Sequence, residues 1–144
     1  MDIYEELVLQ YLTKDGHVFV SPQYSIRGDT GTEWSCPDYV ALNFRARSVS
    51  VVEVSSARKP STLQERVRTR DHQWLDRLRG QLTANGVVDE SWKEYFVDVF
   101  VRRDAEPTFR QEFGLDPTVR IHVLEELGPP WTWTRSYSPD AARE

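Results

Sequence analysis

The chain predicts an α/β fold, a mixed central sheet flanked by helices. Its expected order is helix, three strands, helix and strand, then a further helix and strand. Three observations carry that expectation. Two β-rich runs, 38–45 and 48–55, are parted only by a short polar turn. The longest helical pattern, 60–84, follows them. Another β-rich run, 93–102, comes after that helix, and a sheet with helices on both sides is the natural packing for this order.

Each element has its own local reason. Residues 2–13 set Ile3, Leu7 and Tyr11 at helical spacing, and Lys14-Asp15-Gly16 acts as a stop. Residues 17–26 read as a strand that Pro22 confines to an edge or a bulge. Residues 27–37, rich in Gly, Asp, Thr and Ser, read as a loop. Along 48–55 the two-residue alternation places Glu53 and Ser55 on one face. In the 60–84 helix, Pro60 suits the first turn, and Leu63, Val67, Trp74, Leu75, Leu78 and Leu82 share a face. Arg66, Arg70, Gln73 and Arg77 fall on one flank of that stripe. Ala84-Asn85-Gly86 reads as a turn, 105–113 as a short helix and 118–124 as a strand. The expected organisation is a single domain, 1–128, and a Pro- and Trp-rich tail, 129–144. Trp131 and Trp133 in that tail either anchor a protein partner or pack back onto the domain.

Composition narrows the classes of function. A length of 144 residues suits one core, and no apolar run approaches the roughly 20 residues of a membrane span. The N-terminus is acidic where a signal peptide is basic, so a cytoplasmic protein with no membrane role is expected. Cys36 is the only cysteine, which excludes an intrachain disulfide and a cysteine-based zinc site. The net charge is −5, but its distribution is uneven: residues 1–55 carry −4, 56–88 carry +4 and 89–144 carry −5. Attraction to phosphates is local, screened beyond about 10 Å. An acidic protein with one basic helix is therefore still able to bind DNA.

The chemistry-bearing residues lie at the ends of the paired strands. Pro37-Asp38 opens one, and Glu53-Val54-Ser55 closes the next. An Asp after Pro is often only a turn residue, and arginines on a helix are often a solvated face. Glu53 within VVEVS is different, because a carboxylate inside an apolar strand needs a partner, a metal or solvent. His17, His72 and His122 have no zinc-ligand spacing and read as structural. Gly28 and Gly31 do not form a phosphate-cradling loop ahead of a helix.

Pro-Asp, a hairpin, then Glu-x-Ser ahead of a helix resembles the motif of the PD-(D/E)xK nuclease superfamily. The pattern is nearest to the archaeal Holliday-junction resolvases, which have a Glu-bearing first helix ending in Gly, then Pro-Asp-x-x-Ala-Leu. Here Glu5 precedes Gly16, and Pro37-Asp38-Tyr39-Val40-Ala41-Leu42 follows. The likeness spans roughly residues 3–80. It implies a restriction endonuclease-like core and a metal-dependent DNA endonuclease that hydrolyses phosphodiester bonds, on branched, phage or repair DNA. Asp38, Glu53 and the carbonyl of Val54 would hold Mg²⁺ or Mn²⁺, a hard cation that one or two carboxylates suffice to bind. Glu5 matches a further carboxylate of the resolvases, with Glu6 one residue away as the alternative. Ser55 stands where the family has lysine; either Arg58 or Lys59 supplies a migrated cation, or the serine suffices in an altered site. The implied catalytic set is Glu5, Asp38, Glu53, Ser55 and Lys59, with Arg58, Gln64, Arg66 and Arg70 on DNA. Resolvases of this fold act as homodimers. The alternative is a catalytically silent module of the same fold that binds DNA or a protein partner.

Overall fold

The computed structural model describes residues 2–28 and 33–128. Helix α1 (Ile3–Leu12) starts on a reciprocal cap: the Asp2 carboxylate accepts the Glu5 N–H, and the Glu5 carboxylate accepts the Asp2 N–H. Strand β1 (Val18–Pro22) follows. A two-stranded sheet of β2 (Ile26–Arg27) and β3 (Glu33–Ser35) then occupies part of the region expected to be a loop. The remaining elements are β4 (Tyr39–Asn43), β5 (Ser48–Val54), α2 (Ser61–Arg68), α3 (Arg70–Gln73), α4 (Leu75–Ala84), β6 (Glu94–Val101), α5 (Glu106–Phe113) and β7 (Val119–Val123).

The main sheet has the order β1-β4-β5-β6-β7. The first three strands form an antiparallel meander, and β6 and β7 run parallel to β5. Parallel neighbours need crossovers, and α2–α4 and α5 supply them. Pro22 lies on the edge strand β1, where a missing N–H is tolerated. The pleat of β5 divides its side chains. Val49 and Val51 join Leu63, Val67, Leu78 and Phe109 in the core beneath α2–α5, while Val52 joins Val8, Tyr39 and Phe100 beneath α1.

The expected 60–84 helix is three pieces. The hydroxyl of Thr69 bonds back to the Glu65 carbonyl, and the Trp74 indole N–H takes the Arg66 carbonyl at 3.1 Å. In an unbroken helix that carbonyl would accept the N–H of Arg70. The Ala84-Asn85-Gly86 turn is present, with Gly86 at φ +71°, a conformation glycine adopts without strain. No helix among the described residues is long and apolar enough to cross a membrane.

Candidate functional site

The pairing of β4 with β5 sets Tyr39 opposite Val52, so Asp38, one residue earlier, stands beside Glu53 at the same end of the sheet. Asp38 is fixed twice. The Gln23 N–H donates to its carbonyl at 2.8 Å, and the Val54 N–H donates to its Oδ2 at 2.7 Å. Glu5 arrives from the first turn of α1, whose position is pinned where the Tyr39 hydroxyl donates to the Glu5 carbonyl at 2.8 Å. The Asp38 carboxyl thus lies against the carboxyls of both Glu5 and Glu53.

Burial pushes Asp38 up to about 7; the Val54 N–H opposes this, and the charges of Glu53 and Glu5 add to it. Glu53, only 8% exposed, is also raised by burial, against the pull of Arg66. Arg66 extends from α2 and donates through Nε to Glu53 at 2.7 Å, with its guanidinium over the ring of Trp74. Among the described residues, its buried Nη2 has no hydrogen-bond partner, and neither has the buried hydroxyl of Ser35. Both residues line a cleft of about 500 Å³ together with Ser61, Thr62, Thr69 and Gln73. Buried polar atoms without partners are rare, and two at one cleft suit a ligand that accepts from Arg66 and bonds to Ser35.

Of the residues singled out in the sequence, Glu5, Asp38 and Glu53 come together, while Glu6 is exposed and Glu5 is the one that faces Asp38. Val54 serves Asp38 through its N–H. Ser55 continues the ladder to the Phe100 carbonyl, and its hydroxyl accepts the Ala57 N–H. The cation at Glu53 is Arg66, where the sequence points to Arg58 or Lys59. Lys59 is exposed, and the exposed Arg58 pairs with Asp104 at 3.6 Å. Gln64 donates to Glu112. Arg70 does not share a phosphate-facing flank with Arg66. The break at Thr69 leaves it buried, donating to the Val67 carbonyl and paired with Asp116. Trp131 and Trp133 lie outside the described residues.

Among the described residues, no group of three or more His, Cys, Asp or Glu side chains is placed to hold a metal ion as it stands. Glu5 is held on the Asp2 N–H, and Glu53 on Arg66. The donors nevertheless fit a hard divalent cation: all are oxygens, and Asp38 is crowded by two like charges that such a cation would offset.

Sequence reasoning missed the Glu53–Arg66 pair, although the need of a buried Glu for a partner was its signal. It missed Ser35, which has no signal. It also missed a second carboxylate inside an apolar strand, Asp98 in β6, to which the reasoning applied to Glu53 extends unchanged. Comparison of the chain with protein-family models, curated proteins and solved structures finds no match.

Proposed function

We propose that this chain is a metal-dependent DNA endonuclease of the PD-(D/E)xK kind, with Glu5, Asp38 and Glu53 as its acidic centre. The observation that carries the proposal is the convergence of three carboxylates from α1, the entry to β4 and the end of β5. Gathering like charges beneath the surface costs stability, and a fold has no need of it. The order of α1, the β1-β4-β5 meander, the helical crossover and parallel β6 supports the restriction endonuclease-like reading.

Mg²⁺ or Mn²⁺, when bound, supplies polarisation of the phosphate and a more acidic water. Asp38, Glu53 and the Val54 carbonyl would hold it, with Glu5 as the outlying carboxylate. Below about pH 7 Asp38 retains a proton while no cation is present, so binding there is accompanied by proton release. Arg66 takes over from the absent lysine. It places a permanent positive charge beside Glu53, and its uncommitted Nη2 suits a phosphate oxygen in the adjoining cleft. Branched, phage or repair DNA is the substrate class that the resolvase likeness suggests, with a homodimer matching a two-fold junction.

One observation favours the silent alternative: Arg66 already neutralises Glu53. A cleavage assay with Mg²⁺ or Mn²⁺ on linear, single-stranded and branched DNA separates the two. The nuclease reading expects cleavage that disappears in Asp38→Ala. Binding without cleavage would select the silent module, and neither binding nor cleavage would remove both.

A further inference from the structure

On the opposite face of the sheet, and toward the other end of β5, lies a second polar cluster unrelated to the acidic centre. Asp98 in β6 is 4% exposed and accepts from the Ser50 hydroxyl at 2.5 Å, from Nε and Nη2 of Arg120 at 2.8 and 2.7 Å, and from Nε2 of His122 at 2.7 Å. Those four bonds fill the acceptor sites of a carboxylate. Burial works against the charge on Asp98, and the bonds from His122, Arg120 and Ser50 outweigh it, holding the group below its usual range.

This network is more than a packed strand requires. Its neighbours Val97 and Val99 are apolar, and a buried ionic network is seldom more stable than an apolar one. Helix α1 ends at Leu12 and leaves this half of the face as a groove of about 390 Å³, the size of a small-molecule site. Its apolar surface comes from Leu12, Val18, Ala41 and Phe100, and Tyr11 supplies an aromatic wall.

Most of the polar groups left over are donors. Arg120 spends Nε and Nη2 on Asp98 and Ser50, which leaves Nη1 of a half-exposed guanidinium stacked on Phe96. Asn43 spends Oδ1 on the N–H groups of Arg45 and Ala46, leaving its amide N–H₂. Lys14 sits at the rim over the ring of Tyr11. Of the two acids lining the groove, Asp98 is saturated, while Asp15 accepts the His17 N–H through Oδ1 and keeps its other oxygen at the rim beside Lys14. We infer that this groove is a second binding site, for a small organic anion that joins a carboxylate to a flat apolar body. Asp98 is its positioning residue, holding Arg120 and His122 in place without itself meeting the ligand.

The test uses benzoate as the probe on the full chain, followed by amide NMR shifts and by melting temperature, with inorganic phosphate in parallel. The expected result is saturable shifts centred on Lys14, Ser48, Ser50 and Arg120, with phosphate binding weaker by about tenfold or more. Lys14→Ala, at an exposed site that the fold does not need, weakens benzoate several-fold, and Arg120→Lys does so more strongly. Absence of saturable shifts, shifts centred elsewhere, equal binding of phosphate, or unchanged affinity in Lys14→Ala would each overturn the inference.

Discussion

At the scale of single residues, Asp38 sets the pH behaviour of the metal-free protein. Its folded pKa of about 7 lies above its ordinary value of 3.8, so the folded state binds the extra proton between those values. Stability from this group is therefore full below about pH 4 and lost as pH rises through about 7. Glu53, raised as well, acts in the same direction. Asp98 and Asp116 are lowered and act oppositely, losing their contribution as pH falls below the ordinary carboxylate range. Asp38→Asn removes the first effect. In chemical denaturation with a chelator present, the variant gains ~1 kcal/mol over wild type at about pH 8 and nothing at about pH 4, because partial solvation of the group moderates its penalty. Arg66 has the reverse character. Arg66→Met leaves Glu53 buried without its cation and costs about 2–3 kcal/mol in the same measurement, and adding Glu53→Gln restores part of the loss.

At the scale of elements, the strands were legible because their patterns are local. The runs at 38–45, 48–55, 93–102 and 118–124 became β4, β5, β6 and β7 within a residue or two, and 105–113 became α5. The small β2-β3 sheet was not legible. Two residues of Ile26–Arg27 are too short for periodicity, and their pairing depends on a partner several residues away. The breaks in the 60–84 helix depend on which carbonyl the Trp74 indole reaches, a tertiary choice. That same break explains why Arg66 reaches Glu53 while Arg70 is drawn to Asp116. The β4–β5 hairpin carries a local strain, since Arg47 takes φ +53°, which costs a side-chain-bearing residue energy that glycine avoids. Arg47→Gly is expected to raise stability by about 0.5–1 kcal/mol, seen as a higher melting temperature with cleavage and Mn²⁺ binding unchanged.

At the scale of the whole molecule, the mixed sheet between two helical layers follows from the order of elements that the sequence displays. The convergence of Asp38 and Glu53 was visible through the strand register, because both lie at the same end of one hairpin. Glu5 had a local signal of its own, the Asp2-x-x-Glu5 cap, but its approach to Asp38 depends on how α1 docks, through the Tyr39 hydroxyl. The face beneath the end of α1 went unread because Ser50, Asp98, Arg120 and His122 come from three strands, with no spacing in sequence to link them. Glu53 and Asp98 thus point to opposite faces of the sheet, and the acidic centre at Glu53 is the one on which the proposed activity depends.

The central claim is that Glu5, Asp38 and Glu53 form a divalent-cation centre, and calorimetric titration of Mn²⁺ at about pH 6, where Asp38 still holds its proton, tests it most directly. The account predicts saturable binding with proton release in the wild-type protein, lost in an Asp38→Asn variant that melts no lower than wild type in chelator. Undiminished binding in that variant, or no binding to the wild-type chain, would contradict it.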